Sequence, residues 1–297
     1  MKKNKGFICL VILLGWATCV GAQNSLTAQL RQAIAGKKAQ VGVAVIIDGK
    51  DTITLNNASP YPMYSVFKFH QALAVTDYLA RHKQPLETKL PISASDLKPD
   101  TYSPLRDKYP EGNIDMSIAE LLKYTLQQSD NNACDILFNY AGGTRYADKY
   151  IRSLGITDFA IGATEDEMHK DPQKSYANWS TPLAAAELLE KFLDEPLLPD
   201  SLQSFVKQTM LECRTGQDRL PQPLIGTQAV IGHKTGSGDI SPTGRIMGAN
   251  DIGFVFLPNG HRYTIAVFVK DSDEGPQGTT AIIADISRIV YRYLTQN

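Results

Sequence analysis

The spacing of apolar and polar positions changes period twice along the chain, and each change marks a boundary between kinds of element. Val41-Gly42-Val43-Ala44-Val45-Ile46-Ile47 is a continuous apolar run of strand length, and Asp48-Gly49 turns it into a partner strand over 52–55. A short amphipathic helix over 25–35, stopped at Gly36, precedes this hairpin. From Ser65 the character becomes helical. The stretch 66–81 holds neither Gly nor Pro, and it follows Ser59-Pro60-Tyr61-Pro62, a run that cannot be helical. Ser117-Ile118-Ala119-Glu120 is a capping box that opens a helix over 118–127. Further helices are predicted over 132–140, ended by Gly142-Gly143, and over 144–154, ended by Gly155. Thr181-Pro182 puts a proline at the first position of a helix running to residue 193, and 201–211 follows as another. Strand signals return at 229–234, 251–257 and 262–269, with Pro258-Asn259-Gly260 as a turn. Ile282, Ile283, Ile286, Ile289, Val290 and Leu294 close the chain at helical spacing.

Strands at both ends with helices between them predict an α+β fold. One antiparallel sheet of about five strands is built from both termini and flanked by helices, with an all-helical lobe inserted. The expected division is a leader over 1–22, a sheet-and-helix lobe over 23–60 plus 214–297, and a helical lobe over 61–213. No repeat or low-complexity linker interrupts it.

Composition changes the picture first at the N-terminus. Lys2, Lys3 and Lys5 give a basic start, 7–14 is apolar, and Val20-Gly21-Ala22 fits a small-x-small cleavage site, the pattern of a secretory signal cut after Ala22. Cys19 raises a lipoprotein reading, but Trp16-Ala17-Thr18 before it matches a lipidation site poorly. The apolar core is too short for a permanent membrane anchor, and no later stretch is long enough. An exported, periplasmic chain is expected. Loss of the three lysines moves the formal charge from −1 to −4, and no basic run remains, which argues against a nucleic-acid partner. Cys134 and Cys213 are left, read as buried thiols ahead of a disulfide. The five histidines, His70, His82, His169, His233 and His261, show no ligand spacing, so neither a metal nor another cofactor is implied.

Three short strings carry candidate chemistry. In Ser65-Val66-Phe67-Lys68 a hydroxyl stands at a helix N-terminus with a lysine one turn on, able to take its proton if its basicity is lowered. By itself this string reads as an N-cap serine with a surface lysine rather than as a nucleophile. Ser129-Asp130-Asn131 falls in the break between two predicted helices, and Lys234-Thr235-Gly236 ends a predicted strand. A phosphate-loop reading of Gly232 and Lys234-Thr235 fails, because His233 intervenes and no glycine has the required spacing.

Ser-x-x-Lys, Ser-Asp-Asn and Lys-Thr-Gly in this order are the signature of class A β-lactamases and penicillin-binding proteins, and the chain resembles a class A serine β-lactamase over essentially its whole mature length. The resemblance implies Ser65 as the acylated nucleophile, Lys68 as its proton partner and Ser129 as the proton relay to the leaving nitrogen. Asn131 would hold the substrate's side-chain amide, and Lys234 and Thr235 its carboxylate. Gly236 completes the third motif, and the backbone N–H groups of Ser65 and Ser237 would form the oxyanion hole. Thr164-Glu165-Asp166-Glu167-Met168-His169 resembles the family's Glu-x-x-Leu-Asn, with Glu165 as deacylating base, Met168 for Leu and His169 for Asn. Asp166 and Glu167 compete for the role of base, and an acidic surface loop is the bland alternative. Tyr102 is implied as an aromatic wall. Arg219 is implied either as a helper of Lys234 or as a solvated surface residue. Ala163 stands where the family's loop ion pair has its arginine. The sub-group that shares the His hydrolyses bulky oxyimino-cephalosporins, so an extended range is expected. The partners implied are small β-lactams, acting on a monomer. A D-alanyl-D-alanine peptidase or a β-lactam receptor is the alternative.

Overall fold

The computed structural model describes residues 26–296; the leader and its predicted cleavage after Ala22 lie outside them. In chain order, helix α1 (26–34) precedes strands β1 (Gln40–Ile47) and β2 (Asp51–Leu55). β3 (Tyr61–Pro62) leads through a 3-10 turn at Tyr64–Val66 into α2 (Phe67–Arg81). β4 (Lys89–Ile92), α3 (Pro104–Lys108) and β5 (Ile114–Ser117) follow. Then come α4 (Ile118–Gln127), α5 (Asn131–Tyr140), α6 (Gly143–Ser153) and β6 (Phe159–Ala160). After α7 (Glu165–Lys170) and β7 (Trp179–Ser180), two longer helices, α8 (Pro182–Asp194) and α9 (Asp200–Leu211), complete the middle of the chain. β8 (Val230–Ser237), β9 (Ile246–Phe256), β10 (Arg262–Ser272) and α10 (Gly275–Gln296) close it.

The apolar run of β1 is buried at seven of eight positions because both faces of the sheet are covered. Five antiparallel strands run in the order β2-β1-β10-β9-β8, so the two ends of the chain meet at the β1–β10 pair, with Val45 opposite Ile265. Ala44, Ile46, Ile252, Phe254, Ala266 and Phe268 turn one face toward the helical middle, in one core with Phe67, Phe69 and Leu189. Val43, Val45, Ile265 and Val267 turn the other face toward Leu26 and Leu30 of α1 and Ile282, Ile286 and Val290 of α10. α2 is buried at twelve of its fifteen positions. A helix enclosed all round needs no polar face, which is why its sequence shows only a weak 3.6-residue pattern.

Three expectations need correcting. Ser65 is not the cap of an α-helix but the middle of the 3-10 turn before α2, and no side chain caps α2. The middle segment is not purely helical either. β4 pairs with β5, and β7 joins β3 to β6, in pieces of two to four residues too short to leave an alternating pattern. β9 begins at Ile246, ahead of the predicted 251, through a stretch containing Gly248 and Asn250 whose strand propensity is low.

Candidate active site

The turn that carries Ser65 is held by glycines on the sheet edge. Tyr64 sits at φ 47°, a region costly for a bulky side chain. Its ring occupies a slot where a Cβ added at Gly238 or Gly248 would come within 2.4 or 2.2 Å of it. A Cβ at Gly236 would lie 2.3 Å from the Met63 carbonyl oxygen and 3.2 Å from the Ser65 nitrogen. The end of β8 therefore runs directly against the backbone of Ser65, as a pair of N–H donors from the two segments requires.

Lys68 is fully buried, and its Nζ donates to Ser65 Oγ (3.0 Å), the Ser129 carbonyl (2.7 Å) and Asn131 Oδ1 (2.6 Å). It is also ion-paired to Glu165 Oε1 at 2.8 Å, and Ser65 Oγ donates to the same oxygen at 3.4 Å. An ammonium has three protons, so four oxygens share them and a proton can move among Ser65, Lys68 and Glu165 with little rearrangement.

Glu165 is aimed from the first position of α7. Thr164 and Glu167 cap that helix in a capping box, and Asp135 on α5 accepts from the backbone nitrogens of Glu165 (2.9 Å) and Asp166 (2.8 Å). Burial drives Asp135 up to about 6 against these two hydrogen bonds, with the Glu165 charge adding to the rise. Asp166 pairs outward with Lys170 at 2.6 Å and Glu167 with Lys174 at 3.3 Å. Met168 is buried, and the buried Asn178 amide clasps the loop over it. Asn178 donates to the Ala163 carbonyl (2.8 Å) and Met168 Sδ (3.5 Å), and accepts from Gly162 and Ala163 nitrogens (2.8 and 2.9 Å). This clasp gathers the loop at Ala163.

Ser129 has φ 61°, and Asp130 beside it is buried, capping α5 through Ala133 N (2.9 Å) while accepting from Leu105 N (2.6 Å) and the Ser103 hydroxyl. Asn131 spans Lys68 and Thr101, donating to Thr101 Oγ1 at 2.7 Å. Lys234 donates to Ser129 Oγ (2.9 Å) and the Thr235 carbonyl (2.8 Å). Burial, followed by the Lys68 charge, lowers Lys234 to about 7. The Thr235 and Thr215 hydroxyls are 2.6 Å apart.

Arg219 is buried, which removes the reading of a solvated surface arginine. It donates to the carbonyls of Gly236 (2.9 Å) and Asn250 (2.7 Å) and to Ser237 Oγ (2.6 Å), bracing the end of β8 against the middle of β9. Ser65, Ser129, Asn131, Glu165, Thr235 and Arg219 line one cleft of about 560 Å³, with Tyr102 (58 % exposed) and the exposed His169 on its rim. Among the described residues no His, Cys, Asp and Glu group has the arrangement of a metal site. Sequence reasoning missed Asp135, Asn178 and Thr215. Only Asp135 left a signal, one helical turn after Asn131 on the same face.

A serine bonded to a buried lysine, between a helix entry and the edge of a five-stranded antiparallel sheet, defines a serine acyl-transfer enzyme. A model of the β-lactamase enzyme family matches residues 25–294. A β-lactamase of Bacteroides uniformis is 43 % identical over 93 % of this chain and 94 % of its own. The crystal structure of the TLA-1 extended-spectrum β-lactamase superimposes with a TM-score of 0.89 at 44 % identity, covering 92 % of this chain and 99 % of that one. A class A β-lactamase from Bacteroides cellulosilyticus gives 0.89 at 42 %, over 93 % and 99 %. The chain belongs to the β-lactamase enzyme family, and within it to the class A serine enzymes. It is a hydrolase that opens the β-lactam ring through a serine acyl-enzyme.

Proposed function

We propose that Ser65 Oγ attacks the β-lactam carbonyl carbon of penicillins and cephalosporins and that Glu165 later activates the water that frees the product. The observation that carries this is the closed contact of Ser65, Lys68 and Glu165 within 3.4 Å. The serine proton leaves into the Lys68–Glu165 pair as the new C–O bond forms. Oxygen charge in the tetrahedral intermediate is held by the backbone N–H groups of Ser65 and Ser237. Its collapse breaks the C–N bond, and Ser129, whose oxygen accepts from Lys234, turns its own hydrogen to the departing nitrogen. Lys234 and Thr235 bind the substrate carboxylate, and Asn131 meets the acyl amide. Tyr102 and His169 form the rim, and Arg219 keeps Ser237 in place. In deacylation Glu165 takes a proton from water as hydroxide adds to the ester carbon, and the bond to Ser65 Oγ then breaks as that oxygen takes a proton back from the Lys68–Glu165 pair.

Ser65→Ala and Glu165→Ala, mixed with a chromogenic cephalosporin and followed by intact mass, test the assignment. Ser65→Ala should fold and acquire no adduct. Glu165→Ala should give a stoichiometric burst and then hold the acyl-enzyme, because a general base contributes about 10²–10⁴ in rate. Normal turnover by Glu165→Ala with a stall in Glu167→Ala would transfer the role to the other carboxylate. A wild-type adduct that never hydrolyses would make the chain a receptor instead.

The cleft mouth and the likeness to an extended-spectrum enzyme support hydrolysis of bulky oxyimino-cephalosporins. Indifference to them, with small penicillins consumed, would overturn that range. Residues 1–22 are proposed as an export signal, cleaved to leave Gln23 at the N-terminus of a periplasmic monomer; no helix among the described residues can cross a membrane. A lipidated Cys19 at the mature N-terminus would refute this. The sheet-and-helix lobe (23–60 plus 214–297) and the helical lobe (61–213) are proposed as its two parts, with the cleft at their seam.

A further inference from the structure

A carboxylate can only accept hydrogen bonds, and a threonine hydroxyl has a single hydrogen to give. Whatever else touches Thr235 Oγ1 therefore decides whether that hydrogen is free for a substrate. Among the described residues, the hydrogen-bond partner of this hydroxyl is Thr215 Oγ1, 2.6 Å away. Both threonines line the cleft, Thr235 buried and Thr215 half-buried. The two cations nearby are committed elsewhere. Lys234 donates to Ser129 Oγ and the Thr235 carbonyl, and Arg219 to the Gly236 and Asn250 carbonyls and to Ser237 Oγ. None of these bonds reaches the Thr235 hydroxyl.

The segment that carries Thr215 also grips the other branch of the Thr235 side chain. Gly216 has φ 63°, and a Cβ added there would lie 2.4 Å from Thr235 Cγ2. One turn thus holds the methyl of Thr235 by packing and its hydroxyl by a hydrogen bond, which fixes χ1. That turn is itself tied down. Arg214 N donates to the carbonyl of Gln127, two residues before Ser129 (2.8 Å), and Arg219 N donates to the Gly216 carbonyl (2.9 Å).

We propose that Thr215 is a positioning residue for the substrate carboxylate: its hydroxyl donates to Thr235 Oγ1 and so leaves the Thr235 hydrogen for the carboxylate. Two hydroxyls at 2.6 Å share one hydrogen between them. Were Thr235 the donor, its lone pairs would face the carboxylate and repel it. With Thr215 as donor the bonds run in one direction, each polarising the next. Cys213 Sγ, 3.5 Å from Thr215 Oγ1, stands behind that oxygen as a further donor. The inference rests on the carboxylate role proposed for Thr235.

The test compares the mature enzyme with its Thr215→Val, Thr215→Ser, Thr235→Ala and doubly substituted Thr215→Val/Thr235→Ala variants. Each is assayed on a penicillin and on the methyl ester of the same penicillin, with Tm followed alongside. Valine keeps the shape of Thr215 and removes its hydrogen. The ratio of acid to ester kcat/KM should fall about three- to tenfold in Thr215→Val, the size of one neutral hydrogen bond, and the fall should lie in KM more than in kcat. Thr215→Ser should restore the ratio. In the Thr235→Ala background Thr215→Val should cost nothing more, because no hydroxyl is left to direct. Equal losses on acid and ester would make Thr215 a structural residue and overturn the proposal, as would a full additional loss in the double variant. The proposal also fails by itself if Thr235→Ala loses selectively on the acid while Thr215→Val matches the wild type. An unchanged ratio in Thr235→Ala overturns the carboxylate reading and this inference with it.

Discussion

Lys234 shows how much a single residue's surroundings decide. It is fully enclosed, and burial and Lys68 both disfavour its ammonium form, which sets its loss near pH 7. Below that value the cation is present for the carboxylate proposed to bind there; above it that attraction disappears. The alkaline limb of kcat/KM, which reports groups of the free enzyme, should therefore fall through about pH 7, and Lys234→Arg should move it beyond the measurable range. A profile flat to pH 9 in the wild type would show that Lys234 stays charged. The stability consequence has the opposite sense. The unfolded chain keeps this lysine protonated to about pH 10.4, so between 7 and 10 it binds more protons than the folded state, and this group makes stability rise with pH. Lys234→Met should raise Tm at pH 7 while costing about 2–5 kcal/mol in kcat/KM for substrates bearing a carboxylate.

Among the elements, α2 and α7 are anchored in contrasting ways. α2 is held by burial, and His70 within it has neither ring nitrogen in a hydrogen bond. Burial depresses this imidazole to about 4. Its neutral form therefore supports the fold above the unfolded value of about 6.5, and that support is lost as pH falls from there toward 4. His70→Leu should shift the acid-unfolding midpoint downward, since the whole effect is about 3 kcal/mol; an unmoved midpoint would mean that other groups govern acid unfolding. α7 is too short to be stable by itself and depends on Asp135 and Asn178 from outside it. Asp135→Ala leaves two helix N–H groups without their acceptor, at a cost of about 1–3 kcal/mol. If Glu165 is the deacylating base proposed above, the loss should appear in deacylation more than in acylation. Equal slowing of both steps would contradict this.

For the whole molecule, the groups proposed for catalysis come from segments far apart in the chain, so they share contacts with those that hold the sheet to the helices. Asn250 on β9 donates to the carbonyls of Pro62 (2.8 Å) and Met63 (3.2 Å), which lead through Tyr64 to Ser65, and its own carbonyl accepts from Arg219. Asn250→Ala removes a buried tie between the sheet and the nucleophile's turn. It should cost about 1–3 kcal/mol in unfolding free energy and lower kcat/KM as well. Lost stability with catalysis intact would show that the Gly236 contact alone positions Ser65.

The sequence by itself determined what depends on near neighbours. Caps at Ser117 and Thr181-Pro182, the apolar run of β1 and the spacing of the last helix settle locally, because each is satisfied within a few residues. The three motifs were legible for the same reason, being short strings at element boundaries. Only tertiary structure decided which of Glu165, Asp166 and Glu167 meets Lys68, since the acceptor that aims α7 is thirty positions away at Asp135. It also buried Arg219 between two strands, fitted the Tyr64 ring between Gly238 and Gly248, and set Thr215 against Thr235. These contacts join residues whose separation along the chain carries no periodicity, and the buried charges among them are tolerated only because the tertiary structure supplies partners that no local pattern provides.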